Sequence, residues 1–338
     1  MYDIAIIGAG INGCSVANEF KDEKKSIILF DKEGVASGGS GAAGAFISPK
    51  FSKAGELKEL LHTAFVYSLD FYKKSFGHIL TQARLLHLAQ EQSDAQTLRI
   101  YKEQTDLELF KVADESREYV SIDAGIVDAK QMCDAMAKSA KFVKEEITSL
   151  VYDEGFWIIN ETYSAKEVVL ATGAYTSLIK EPYLQLRGVW GHRIDIKTTT
   201  PNPYSVHQFV SISPSSSGTL AIGATHNVHY HPETSQEPYD IEAGREELLE
   251  KASRTMKLEN IEIIKDYTGL RSGSFDYMPM VGSLVLSKET LQNREIRFKV
   301  KNPNYEEYTY YPNLYMINGS GGYGFGGNQR YNITLPST

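Results

Sequence analysis

Two groups of residues in this chain have types and spacings that could do chemistry. The first is Gly8-Ala9-Gly10-Ile11-Asn12-Gly13, which follows directly on the apolar run Ile4-Ala5-Ile6-Ile7. In such a loop Gly8 permits the tight turn, Gly10 lets a pyrophosphate approach the backbone, and Gly13 lets helix and strand pack closely. The helix that follows offers free amides and a partial positive charge to phosphates. Asp31 ends the next apolar run, Ile27-Ile28-Leu29-Phe30, where a carboxylate can accept hydrogen bonds from both ribose hydroxyls. It would repel a 2′-phosphate, which disfavours NADP, but the fingerprint alone does not separate FAD from NAD. The second group centres on Arg271, one arginine among small residues in Thr268-Gly269-Leu270-Arg271-Ser272-Gly273-Ser274. A guanidinium fork matches both oxygens of a carboxylate. Clamping a carboxylate would fix the position of an α C–H bond for oxidation with little acid–base machinery. The alternative for Arg271 is a surface arginine in a salt bridge.

Positioning these groups requires a strand over residues 4–7, a helix from Cys14 to Phe20 and a second strand over 27–30. A helical pattern runs from Glu56 to Phe76. Leu85–Leu88 reads as a strand and Gln90 to Phe110 as a helix. Ala124-Gly125-Ile126-Val127-Asp128 reads as a turn and cap, with Asp128 starting a helix through Lys141. Strand-like runs follow at 147–152 and 156–160, then the buried run Val168-Val169-Leu170 leading into Ala171-Thr172-Gly173. Residues 184–265 alternate short strands with Pro- and Ser-rich turns around one helix, Tyr239 to Met256. No internal repeat is evident.

Composition bounds the possibilities. The chain has 338 residues, 42% apolar and 23% charged, ordinary for a globular protein. Its formal net charge of −8 argues against a protein basic throughout, but not against one basic face. From Leu184 to His231, Arg187, Arg193 and Lys197 stand against Asp195 alone, with His192, His207, His226, His229 and His231 among them. That reads as a modest basic stretch or an incidental solvated face, and its histidine spacing matches no metal motif, so no metal site is expected. No run is apolar enough for a membrane span. The N-terminus lacks signal-peptide features, and Cys14 and Cys133 form no disulfide framework. The expected location is cytoplasmic, with Cys14 packed in a core.

Three more glycine-rich segments follow apolar runs: Ser37-Gly38-Gly39-Ser40-Gly41-Ala42-Ala43-Gly44, Ala171-Thr172-Gly173-Ala174, and Asn318-Gly319-Ser320-Gly321-Gly322-Tyr323-Gly324. With the N-terminal loop, they resemble the D-amino-acid-oxidase-like superfamily of FAD-dependent oxidoreductases, from residue 3 to about residue 326. The resemblance implies an α/β fold in which a Rossmann-like FAD-binding domain is interleaved with an α+β substrate domain built on a mixed sheet. The FAD domain is expected at 1–77, 121–182 and 266–338, and the substrate domain at 78–120 and 183–265. It further implies cofactor contacts at Gly8, Gly10, Ile11, Asn12, Gly13, Asp31, Lys32, Ser37, Gly38, Ser40, Gly41, Ala42, Ala43, Gly44, Ile147, Ala171, Thr172, Gly173, Gly321, Gly322, Tyr323 and Gly324. Ile147 falls where a backbone pair holds the adenine, although as a residue it is equally a strand-core position.

Within the superfamily the segment Gly41–Lys53 and Asp276-Tyr277-Met278-Pro279-Met280-Val281-Gly282 are similar to the FAD domain of the bifunctional tRNA 5-methylaminomethyl-2-thiouridine biosynthesis proteins (MnmC type). This implies oxidation of the carboxymethylamino group on wobble uridine-34 of tRNA, releasing glyoxylate. Arg271 would hold the carboxylate as the catalytic residue, with Tyr277 and His192 also at the substrate. The relatives carry a fused methyltransferase domain, and the resemblance leaves room for a separate methyltransferase partner here. They also have an arginine in the C-terminal loop, where this chain has Gly321 and Gly322, and a longer helix where it has Asn328–Leu335. A small-molecule substrate such as glycine, sarcosine or a D-amino acid is the other reading, and Arg271 serves both.

Overall fold

The computed structural model describes residues 1–112, 116–175, 178–292, 296 and 304–327. Ile4 to Ile7 and Ile27 to Phe30 are buried throughout, as apolar runs must be when helices cover both faces of a parallel sheet. They form β1 (Tyr2–Ile7) and β2 (Ile27–Asp31), joined by α1 (Ile11–Glu19). The chain continues through α2 (Gly39–Ala42), β3 (Phe46–Ile47), α3 (Glu56–Phe76), β4 (Leu80–Leu88), α4 (Gln92–Gln104) and β5 (Tyr119–Val127). Next come α5 (Ala129–Ala137), β6 (Lys141–Lys144), β7 (Leu150–Asp153), β8 (Phe156–Ile159) and β9 (Tyr163–Leu170). The last third holds β10 (Leu186–Lys197), β11 (Ser205–His207), β12 (Ser211–Ile212), β13 (Thr219–Gly223), α6 (Ile241–Thr255), β14 (Glu262–Ser274) and β15 (Met280–Val285). It closes with α7 (Ser287–Thr290), β16 (Tyr310–Asn318) and α8 (Gly324–Gly327).

Two sheets result. In the first the order is β15-β16-β9-β1-β2-β6, and β16, β9, β1, β2 and β6 run parallel. The second has the order β14-β10-β13-β12-β11-β4-β5-β3. It is antiparallel except where β11 runs parallel to β4, so it is the mixed sheet expected of the α/β fold. One apolar core lies between β1, α1, α3 and α5, a second on the other face of β1 and β9, and a third between β10, β13 and α6.

The helix expected over 90–110 spans only Gln92–Gln104. Asp128 does cap α5, accepting a hydrogen bond from the Gln131 amide at 2.8 Å, but that helix ends at Ala137 and β6 starts at Lys141. Residues 147–149 precede β7 rather than belonging to it. The expected turn at Ala124–Val127 is instead the end of β5. Its glycine is there for space, since a Cβ on Gly125 would stand 2.6 Å from the Leu80 side chain. The segment Asn328–Leu335 lies outside the described residues. No helix among the described residues is long and apolar enough to cross a membrane.

Candidate active site

The carboxyl end of the parallel sheet faces the second sheet across a cavity of about 570 Å³. The turn after β1 forms its floor. Gly8 has φ +105°, and a Cβ there would stand 2.2 Å from the Ala171 carbonyl oxygen, so two loops meet where only glycine fits. Behind it a Cβ on Gly13 would lie 1.9 Å from the Gly8 carbonyl oxygen, which keeps α1 tight on β1. Of the expected cofactor residues, Gly13 and Gly41 stand behind the wall as packing positions, and all the others line the cavity.

Asp31 organises the turn itself. One carboxylate oxygen accepts from the Ala9 amide at 2.9 Å, and the other from the Glu33 and Gly34 amides at 3.0 Å and the Ser37 hydroxyl at 3.1 Å. The Ile11 amide at the start of α1 donates to Ser40 Oγ at 2.9 Å, tying the second glycine segment to the first. Ile147 is buried, lines the cavity and sits in the loop before β7. Lys32 pairs with Glu233 at 2.7 Å and lies 4.1 Å from the ring centre of Tyr175, so a loop of the second sheet reaches across to the first. The C-terminal glycine segment is ordered rather than a loose tail. Phe325 is buried, and the Tyr72 hydroxyl donates to its carbonyl oxygen at 2.9 Å.

Arg271 lies on the cavity face of β14. In the antiparallel register Val189 of β10 faces Arg271 and Gly191 faces Gly269. The Arg271 guanidinium lies over Gly191, where a Cβ would stand 3.0 Å from Nη2. Nη2 donates to the Thr225 carbonyl, Nε is buried without a partner, and no carboxylate pairs with the group among the described residues. Burial lowers its pKa. A buried guanidinium with no paired carboxylate among the described residues is suited to an anion.

The two other expected substrate residues do not join it. His192 is fully buried on the opposite face of β10, because alternation turns it away from neighbouring Gly191. There it bonds Asp266 at 2.9 Å and packs against Gly244 of α6. Tyr277 is 63% exposed in the loop after β14 and lies outside the cavity wall. The expected basic stretch is likewise divided. His207 pairs in register with His87 across β11 and β4. Burial, reinforced by His87, holds the His207 pKa at about 3, and burial holds that of His87 at about 4, so both rings are neutral.

Several cavity residues carry little signal in the sequence. Asn318, fully buried, donates to the Gly173 carbonyl at 2.7 Å and accepts from Ser272 at 2.9 Å, linking three segments far apart in the chain. Ser272, His207, Tyr175 and Glu233 also line the cavity. Position at the end of a strand hints at Asn318, but the others depend on pairings that no local pattern reveals. No group of three metal-ligating side chains occurs among the described residues.

A glycine-walled nucleotide cradle facing a mixed sheet with an inward arginine defines a dinucleotide-dependent redox enzyme. The FAD dependent oxidoreductase family matches residues 3–327, and the chain belongs to it. A bifunctional tRNA 5-methylaminomethyl-2-thiouridine biosynthesis protein, MnmC, from Legionella pneumophila (strain Corby) is 24% identical over 341 residues, covering 92% of this chain and 50% of the relative. Its counterpart from Dichelobacter nodosus is 25% identical over 332 residues, covering 95% and 52%. The chain thus spans about half the length of the curated relatives it matches. Among solved structures, glycine oxidase from Geobacillus kaustophilus is similar in fold, with a TM-score of 0.74 at 19% identity, covering 97% of this chain and 91% of that one.

Proposed function

We propose that this enzyme oxidises the C–N bond of a secondary amine bearing a carboxylate, and that its substrate is the carboxymethylaminomethyl group of wobble uridine-34 in tRNA. The observation that carries the reading is Arg271, a guanidinium at the second-sheet wall of the cavity with no anionic partner among the described residues. It would receive the glycine-like carboxylate through paired hydrogen bonds and hold the adjoining C–H bond toward the first sheet. The half-length likeness to the MnmC proteins supports the tRNA substrate.

The cradle fits the cofactor. The turn Gly8–Asn12 and the α1 N-terminus would hold the pyrophosphate of FAD, Asp31 and Lys32 would meet the ribose end, and Ile147 the adenine. The segments 37–44, 171–173 and 321–324 would flank the ribityl chain and flavin. Bound FAD supplies the two-electron acceptor. Loss of a hydride equivalent from carbon and a proton from nitrogen gives the substrate imine, which water splits into glyoxylate and the primary aminomethyl group. A methyltransferase, on this polypeptide or another, would act on that amine.

Anaerobic mixing of the FAD-loaded enzyme with tRNA carrying the carboxymethylaminomethyl group tests this directly. Flavin absorbance should bleach and glyoxylate should form in equal amount. Bleaching by glycine, sarcosine or a D-amino acid, and none by that tRNA, would reassign the enzyme to small amines.

A further inference from the structure

Resting on the tRNA reading, we propose that the rim beside Arg271, made of Phe275, Tyr277 and Arg187, is a stacking platform for an unpaired nucleobase next to the one being oxidised. Phe275 and Tyr277 are each 63% exposed on the loop between β14 and β15. Single exposed apolar residues are commonplace, but two exposed aromatics that share one guanidinium are a binding feature. The Arg187 guanidinium lies 4.8 Å from the Tyr277 ring centre and 6.0 Å from that of Phe275. Its Nε is buried without a partner.

The placement is tied to the cavity. Arg187 faces Gly273 while Val189 faces Arg271, so the platform stands two residues along the sheet from the carboxylate clamp, roughly 7 Å. Gly273 in turn bridges Ser320 of the cavity wall. That is the reach of one nucleotide, not of the substrate's own carboxymethylamino arm. The local charge is complementary to a phosphate backbone. Arg187, Arg271 and Lys50 gather here on a protein whose net charge is −8. Asp276, exposed between the two rings in the sequence, is held by its own loop, accepting from the Met278 amide at 3.0 Å. Tyr277 holds φ +65°, an unfavourable backbone for a tyrosine that presents its ring outward. Stacking on an aromatic is tolerant of base identity, which suits a site that must accept different anticodons.

The test uses the FAD-loaded enzyme and an RNA hairpin with the anticodon-loop sequence, carrying 2-aminopurine beside the wobble uridine. Binding to the wild type should quench the 2-aminopurine, the signature of stacking. The double variant Phe275→Ala, Tyr277→Ser should bind the hairpin on the order of tenfold to a hundredfold more weakly and leave the probe bright. Phe275→Trp with Tyr277→Phe should restore both affinity and quenching. The visible flavin spectrum reports whether each variant is folded and loaded. Equal affinity and equal quenching in the alanine–serine variant would overturn the platform, even if the hairpin bleaches the flavin. A hairpin that binds and stacks but never bleaches the flavin would instead sink the proposed reaction and leave the platform standing.

Discussion

Arg271 has Nη2 on a backbone carbonyl and Nε bare, so its net charge has no internal counterpart among the described residues. Replacing it with alanine should lower kcat/KM for the carboxylate substrate by about tenfold to a hundredfold, the scale of a charged hydrogen bond. Flavin content should not change. Lysine should recover part of the loss, since it restores charge without the fork. Stopped-flow flavin reduction measures both. A second residue-scale expectation concerns His207 and His87, whose pKa values of about 3 and about 4 lie below the ordinary histidine value of 6.5. The unfolded chain binds more protons than the native one between those limits, so stability is full above pH 6.5 and falls as pH drops toward 4. Each ring contributes up to about 1.4 kcal/mol per pH unit. Tm should therefore fall as pH drops from 7 to 4 in the wild type, and fall less in His207→Phe, as thermal melts would show.

At the level of elements, β10 carries the cavity on one face and α6 on the other. Asp240 caps α6 through the Ala243 amide at 3.0 Å, and Leu248 and Ala252 of that helix are buried against the sheet. Asp240→Ala should cost about 1 kcal/mol and lower Tm by a few degrees in calorimetry, with flavin content retained. The same strand shows what the sequence could convey. The β1–α1–β2 unit was legible because turn, helix and carboxylate are contiguous, and each glycine has a local task. His192 lies off the cavity because facing is set by alternation: Gly191 opens to the cavity and its neighbour turns to α6. Arg187 went unassigned because its nearness to Arg271 follows from the β10–β14 register, a pairing across more than seventy intervening residues. β5 looked like a turn because Gly125 signals flexibility in a local reading, whereas here it makes room for Leu80 and Leu69.

Across the whole molecule the two sheets touch each other through the cavity loops, and Lys32–Glu233 is a tie between them. Both side chains keep a third or more of their surface exposed, so the pair itself contributes little to stability. Glu233→Gln should leave Tm of the apoprotein unchanged while FAD dissociates severalfold faster, which recovery of free-flavin fluorescence on dilution would measure. In the proposed pose FAD would span the seam, so loading should stabilise the whole chain. At a free concentration a hundred times Kd the gain is about 2.7 kcal/mol, readable as a rise in Tm.

The seam also has a history within each molecule. β1 hydrogen-bonds on one side to β2, made moments later, and on the other to β9, made only after residue 163. The wall that completes the cavity, Asn318 to Gly324, follows about 150 residues after that. The nucleotide turn is thus made well before the late wall of the cavity. During synthesis the half-built cradle has its nucleotide turn but not its last wall, so full enclosure of the cofactor must wait until Asn318 to Gly324 are made.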